Sequence, residues 1–183
     1  MVLKTLSRVK GPNLTLRLVQ PEDADYVYAL RTDPVCNIHL SEVRGTAADQ
    51  RRWIEAYKAR EAELSELYYV IERKDGTHCG LVRLYDIGAD SFTWGSWILD
   101  RNKPRKAALE SAVLSFGIGF DGLGLTKALV DVRIGNERAI AFYQRLGMTE
   151  VRREQDIYFV YPRERFDADR AGYLAILDEE RAG

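Results

Sequence analysis

Apolar and polar positions change their spacing several times along the chain, and each change marks an element. In LTLRLV (14–19), Leu14, Leu16 and Leu18 alternate with other positions, which predicts a strand with one apolar face. Pro21, followed by Glu22 and Asp23, opens a short helix, since a first turn needs no N–H there and acids suit the dipole's positive end. Thr46 with Asp49 forms a capping arrangement for a second helix that runs to about Glu63. Three strand-like runs follow: LYYVIER (67–73), CGLVRLYDI (79–87) and SFTWGSWIL (91–99). The turn formers KDGT and GADS separate them, which predicts a consecutive antiparallel meander. Gly95, between Trp94 and Ser96 in the last run, predicts a bulge or a close backbone approach.

The period then lengthens. Leu109, Val113, Phe116 and Phe120 recur at helical spacing from about Ala107 until DGLG stops them. ALVDVRI (128–134) reads as a strand, and NERAIAFYQRLGM (136–148) as a helix burying Ala139, Phe142 and Leu146. IYFVYP (157–162) ends the sheet, and RFDADRAGYLAILDEE (165–180) is a terminal helix. Strand, helix and strand between residues 91 and 134 require a parallel pair at the sheet centre, with the other strands antiparallel. The expected fold class is α/β: a mixed, mostly antiparallel sheet flanked by helices. No repeat or linker divides residues 1–183, so one domain is expected.

Composition narrows the function classes. The 183 residues are 46% hydrophobic and 30% charged, as in ordinary soluble globular domains. Lys plus Arg total 27 and Asp plus Glu 28, a net charge of -1, which gives no support to nucleic-acid binding through bulk electrostatics. No long apolar run predicts a membrane span, and MVLKTLSRVKGPN is too polar for a signal peptide, so a cytoplasmic location is expected. Cys36 and Cys79 form no Cys-x-x-Cys, and His39 and His78 show no metal-ligand spacing. Reduced thiols and no metal are expected. The oligomeric expectation is a monomer or homodimer.

Chemistry first concentrates in LDRNKPRKAALES (99–111). Lys103, Arg105 and Lys106 stand at a helix start after a sheet-centre strand, where free N–H groups and cations suit a diphosphate. Otherwise this is a solvated basic loop. The strand order, this loop and the pattern NxxAxxFYxxxGM at residues 136–148 resemble the GCN5-related N-acetyltransferases (GNAT). The resemblance spans residues 14–161 and is strongest to the branch holding ribosomal-protein alanine and nucleotide-amino-sugar acetyltransferases. It implies acetyl transfer from acetyl-CoA, as co-substrate, to a primary amine. It implies further that the backbone of Trp97, Ile98 and Leu99 bonds the pantetheine arm. Lys103, Arg105, Lys106, Ala107 and Ala108 would cradle the pyrophosphate, Asn136 would contact the arm, and Tyr143 would sit by the thioester sulfur. One residue departs from the family loop: Lys106 stands where its first glycine falls. A lysine keeps the N–H cradle if its φ stays negative, its ammonium adding charge in place of clearance; otherwise the loop is remodelled or affinity falls.

Thioester aminolysis needs a neutral amine and a proton for the departing thiolate. Tyr143, with a reference pKa of about 10 above a thiol's 8.5, is protonated near neutral pH and can donate. It can equally be core filler, and Asn136 can be a helix cap alone. For the base, the candidates are His39, Glu42 and Asp86, or a water chain. Arg83, Tyr85 and Trp94 are expected to face the acceptor, where aromatics suit a sugar ring or base; packing under the first helices is the alternative. The preferred acceptor is an amino sugar or its nucleotide. A protein N-terminal acetyltransferase comes next, and a non-catalytic acyl-CoA-binding module third.

Overall fold

The computed structural model describes residues 2–179. Its elements in chain order are α1 (Val2–Leu6), β1 (Arg8–Lys10), β2 (Leu14–Leu18), a 3-10 turn (Pro21–Asp23), α2 (Ala24–Thr32) and α3 (Ala47–Ala62). They continue with β3 (Leu67–Arg73), β4 (His78–Tyr85), β5 (Ser91–Leu99), α4 (Ala107–Gly117) and a π turn (Ile118–Gly122). The chain closes with β6 (Lys127–Arg133), α5 (Glu137–Arg145), β7 (Thr149–Arg153), β8 (Asp156–Pro162) and α6 (Arg163–Asp178). The last position of the expected terminal helix, 180, lies outside the described residues.

The strands form one sheet in the order β1-β2-β3-β4-β5-β6-β8-β7, antiparallel everywhere except between β5 and β6. Thus the mixed α/β sheet with a central parallel pair is the fold. Two strands were not expected. β1 is three residues long, and β7 (TEVRR) is exposed along its whole length, so neither carries an apolar alternation. Each exists through its neighbour's ladder.

The β3 side chains divide the core. Tyr69 and Ile71 join Phe92, Trp94, Phe116 and Phe159 on the face covered by α4, α5 and α6. Tyr68 and Val70 join Ile54, Tyr57 and Leu81 under α2 and α3. Thr46 caps α3, donating its N–H to Asp49 Oδ2 at 2.7 Å while its hydroxyl accepts from the Asp49 N–H at 3.3 Å. Helix α4 is pinned from within. The fully buried Glu110 carboxylate accepts N–H bonds from Asn13 and Leu14, both at 2.7 Å. Gly11 permits this, because a Cβ there would lie 2.5 Å from Glu110 Oε1.

A β-bulge sets the site. Between β4 and β5 the register passes from Leu81↔Ile98 to Arg83↔Gly95, so β5 holds one residue more than its partner. Ser96, not Gly95, takes the left-handed conformation, at φ 47°. The role of Gly95 is clearance: a Cβ there would stand 3.2 Å from the Tyr85 hydroxyl. The extra residue inverts the alternation. Before it, Phe92 and Trp94 face the α4 side; after it, Ile98 turns toward α2 and α3, while Trp97 and Leu99 pack on the α4–α5 side.

Candidate active site

The parallel ladder joins Ser91–Thr93 of β5 to Lys127–Leu129 of β6 and stops there, although the strands run on to Leu99 and Arg133. Beyond Thr93 the strands part, and the backbone of Trp97, Ile98 and Leu99 lies outside that ladder. A groove of about 350 Å³ fills the opening between β5, the loop after it and α5. Trp97 and Leu99 form one wall, and Ala139, Phe142 and Tyr143 another. The Trp97 indole donates to Ser111 Oγ at 3.1 Å and packs on the Phe142 ring, 5.1 Å between centres.

The groove's charge is partly that expected. Lys103 and Ala108 line it, but the other two cations on its wall, Arg138 and Arg145, come from α5. Arg105 is exposed, and Ala107 is buried behind the loop. Lys106 does not meet the condition of a negative φ. Its φ is 56°, in the left-handed region glycine favours, and its ammonium donates to the Ile176 carbonyl on α6. The lysine therefore keeps a glycine-like backbone, at a conformational cost of about 1 kcal/mol or more, and its charge goes to α6. No side chain caps α4, so its first turn presents amide hydrogens. These features fit a CoA diphosphate and arm: cations, uncapped amides and an apolar slot with free strand edge.

A second cavity, about 270 Å³, opens on the other side of the parted strands. Its walls include His39 and Ser41 from the segment between α2 and α3, Tyr85 and Ser96 from the meander, and Asp131 and Asp156 from β6 and β8. Trp97, Asn136 and Tyr143 line both this cavity and the groove, so the two meet at Tyr143. Asn136 also caps α5, its Oδ1 accepting from the Ala139 N–H at 3.3 Å. On α5 the buried residue is Tyr143, 6% exposed, while Ala139 and Phe142 are half-buried groove wall. Of the expected stripe, Leu146 is buried and Ala139 and Phe142 pack against the core while also facing the groove, and Tyr143 joins the buried set.

Several expected residues are placed elsewhere. Trp94 is fully buried, its indole donating to Ser115 Oγ at 2.8 Å and its ring stacked on Phe116, so it is core, not acceptor wall. Arg83 lies in a neighbouring cleft and pairs with Glu66 at 3.1 Å, while its guanidinium covers the Tyr85 ring at 4.4 Å. Glu42 is exposed, pairs with Arg44 at 3.1 Å and lines that same cleft. Asp86 is exposed at φ 47° past the end of β4, outside the cavity wall. His39 and Tyr85 do line the cavity.

Asp131 and Asp156 were not anticipated. Asp131 keeps one side in solvent, yet its surroundings desolvate the carboxyl and raise its pKa, reinforced by the charges of Asp156 and Asp86. Burial raises the Tyr143 phenol, and the Asp131 charge adds to it. Burial pushes Tyr85 up to about 12, again with help from Asp131. The cavity therefore holds a protonated phenol beside a carboxyl made more basic.

The acetyltransferase (GNAT) domain family profile matches residues 13–149. The chain belongs to the GNAT family. This GNAT chain is similar to FdhC, described as a nucleotide-linked sugar GNAT, at 34% identity, with a TM-score of 0.84 over 91% of this chain and 96% of that one. A spermidine N-acetyltransferase of Vibrio cholerae, solved with CoA and spermine, shares the fold at 19% identity, TM-score 0.72, over 85% and 99%. The SPbeta prophage-derived N-acetyltransferase YokL of Bacillus subtilis is 23% identical over 151 residues, 81% of this chain and 83% of that protein. The GNAT chain is an acyltransferase by family. Among the described residues, no helix is long and apolar enough to cross a membrane, and no group of three or more His, Cys, Asp or Glu is placed to hold a metal.

Proposed function

We propose that the protein transfers an acetyl group from acetyl-CoA to the primary amine of a small molecule, an amino sugar or nucleotide-linked amino sugar. The carrying observation is that Tyr143, Trp97 and Asn136 line both the groove and the cavity. Lys103, Arg138, Arg145 and the first turn of α4 would hold the diphosphate, and the edge of β5 the pantetheine arm. Bound there, acetyl-CoA supplies an acetyl group activated as a thioester. Asp131 accepts a proton from the amine as nitrogen bonds to the acetyl carbon, and the Tyr143 hydroxyl gives its proton to the departing sulfur. Glu42 and Asp86 lie outside the cavity wall; of the two candidates that line it with Tyr143, His39 and Asp131, the carboxyl of Asp131 is preferred as base because desolvation and neighbouring acids raise its pKa. Acceptor choice is supported by the 34% identity to a protein described as a nucleotide-linked sugar GNAT and by walls that mix Tyr85 with Ser41, Ser96 and Asp156.

The test is thioester consumption across nucleotide-linked amino sugars, free amino sugars, polyamines and N-terminal peptides. Turnover of the sugar series is expected; preferential turnover of peptides would move the assignment to a protein acetyltransferase. Tyr143→Phe should lower kcat by about 100-fold or more while the KM for acetyl-CoA changes little. An unchanged rate would remove the acid role.

A further inference from the structure

Ser41 belongs to two cavities. On one side it lines the pocket holding Asp131 and Tyr143; on the other it lines a cleft of about 430 Å³ between α2, α3 and β4. Arg31, Arg83 and Trp53 are in the wall of that cleft. The Arg31 Nε is buried and has no hydrogen-bond partner among the described residues, and the same holds for the hydroxyl of the fully buried Tyr68; the buried Arg83 Nε faces Glu66 Oε1 at 3.1 Å as an ion pair. The charges of Arg31, Arg83 and Glu66 all act on that hydroxyl, so the four groups lie in one neighbourhood. Buried donors without acceptors are rare and call for a partner.

The local charge balance favours an anion. Glu42 in the wall is matched by Arg44 at 3.1 Å, and Asp49 by Arg52 and the cap of α3. Glu66 is shared by two guanidinium groups, Arg60 at 2.6 Å and Arg83 at 3.1 Å. Among the described residues, Arg31 donates only to the Ser41 carbonyl and hydroxyl, at 3.4 and 3.0 Å. Positive charge is therefore in excess where donors lack acceptors. The adjoining cavity, by contrast, holds Asp131 and Asp156, with Arg133 paired to Asp156 at 3.3 Å and Asp131 without an ion-pair partner among the described residues. One end suits an amine and the other a phosphate.

We infer that the Arg31–Arg83–Trp53 cleft seats the diphosphate of a nucleotide-linked acceptor, its amine reaching the Asp131–Tyr143 cavity past Ser41. This deepens, and rests on, the reading of that cavity as the amine site. Guanidinium groups suit the role because their planar donors match phosphate oxygens in pairs. A site built to bond such oxygens discriminates strongly against an amine lacking them.

The experiment uses the full chain saturated with CoA, so that the cofactor's own diphosphate groove is filled. Uridine and thymidine diphosphate are titrated by calorimetry, then assayed as inhibitors against nucleotide-linked amino sugars. Binding that is competitive with the acceptor is expected. Arg31→Gln should weaken it by about 10- to 100-fold, the range of a lost charge-assisted hydrogen bond. Arg31→Lys, which keeps the charge and loses the fork, should fall between. Among the described residues Arg31 bonds only Ser41, and a thermal melt verifies that both variants fold. In the wild type, kcat/KM for the nucleotide-linked amine should exceed that for the matching free amino sugar, and Arg31→Gln should shrink that ratio. Turnover of free amines without nucleotide binding, or nucleotide binding indifferent to Arg31→Gln, overturns the inference and leaves acetyl transfer standing. Inhibition that is not competitive with the acceptor also overturns it, pointing to a separate nucleotide. Nucleotide binding without turnover of any amine removes the acetyl-transfer reading, and the acceptor role of the cleft with it.

Discussion

Trp94 and Tyr143 meet edge to face with ring centres 5.9 Å apart, yet only Tyr143 borders a cavity. Trp94→Phe removes the bond to Ser115 and part of a packed ring, so it should cost roughly 1–3 kcal/mol of stability. Thermal denaturation measures that loss, while the acceptor KM stays unchanged. A raised KM at unchanged stability would return Trp94 to the acceptor wall. Asp131 offers a pH test. As base it must be deprotonated, so kcat/KM rises with pH through its raised pKa. Asp156→Asn removes a like charge, which lowers that pKa and moves the acidic limb to lower pH. A limb that stays in place would separate Asp131 from the reaction. Tyr143 was legible in sequence because its spacing from Asn136 and Gly147 is local. Asp131 was not: within ALVDVRI it reads as the solvent-facing position of a strand. Only its contact with the environment of Asp156, on another strand, gives it meaning. Arg138 and Arg145 escaped notice for a related reason, since polar positions on an amphipathic helix ordinarily face water.

Among the elements, the loop into α4 holds the sharpest departure from expectation. A left-handed Lys106 carries out the backbone role of glycine. Lys106→Gly should therefore keep CoA affinity within a few-fold, whereas Lys106→Ile, β-branched and poorly suited to positive φ, should weaken it by about tenfold or more. Calorimetry with CoA separates the two; equal affinity would show that the conformation does not matter. The strands with apolar alternation, the α3 cap and the helical spacing of α4 were all readable, because burial of one face dictates the pattern. β7 could not be read that way, since TEVRR buries nothing and takes its form from β8. The double duty of α5 was hidden too. Its apolar residues satisfy a core and a ligand groove equally well, and the sequence does not say which side the groove is on.

Across the whole molecule, a net charge of -1 averages over a divided surface. Cations Lys103, Arg138 and Arg145 gather along the groove, and carboxylates gather in the neighbouring cavity. Replacing all three cations by Ala or Gln should weaken CoA binding by about one to two orders of magnitude and flatten its salt dependence. Binding by calorimetry at two ionic strengths measures both, and unchanged values would place the diphosphate elsewhere. The parallel pair followed from chain order alone. The single surplus residue at Ser96 did not, because serine carries no sign of a left-handed backbone. Its consequence concerns how such a protein can diversify. Adding or deleting one codon in β5 would exchange its two sides and spoil both chambers at once, so the strand's length is frozen. The stretch at 33–46 is under no such restriction: it reaches the cavity of Asp131 and Tyr143 from outside the sheet, and if that cavity takes the acceptor as proposed, new specificities can be written there by insertion as well as by replacement.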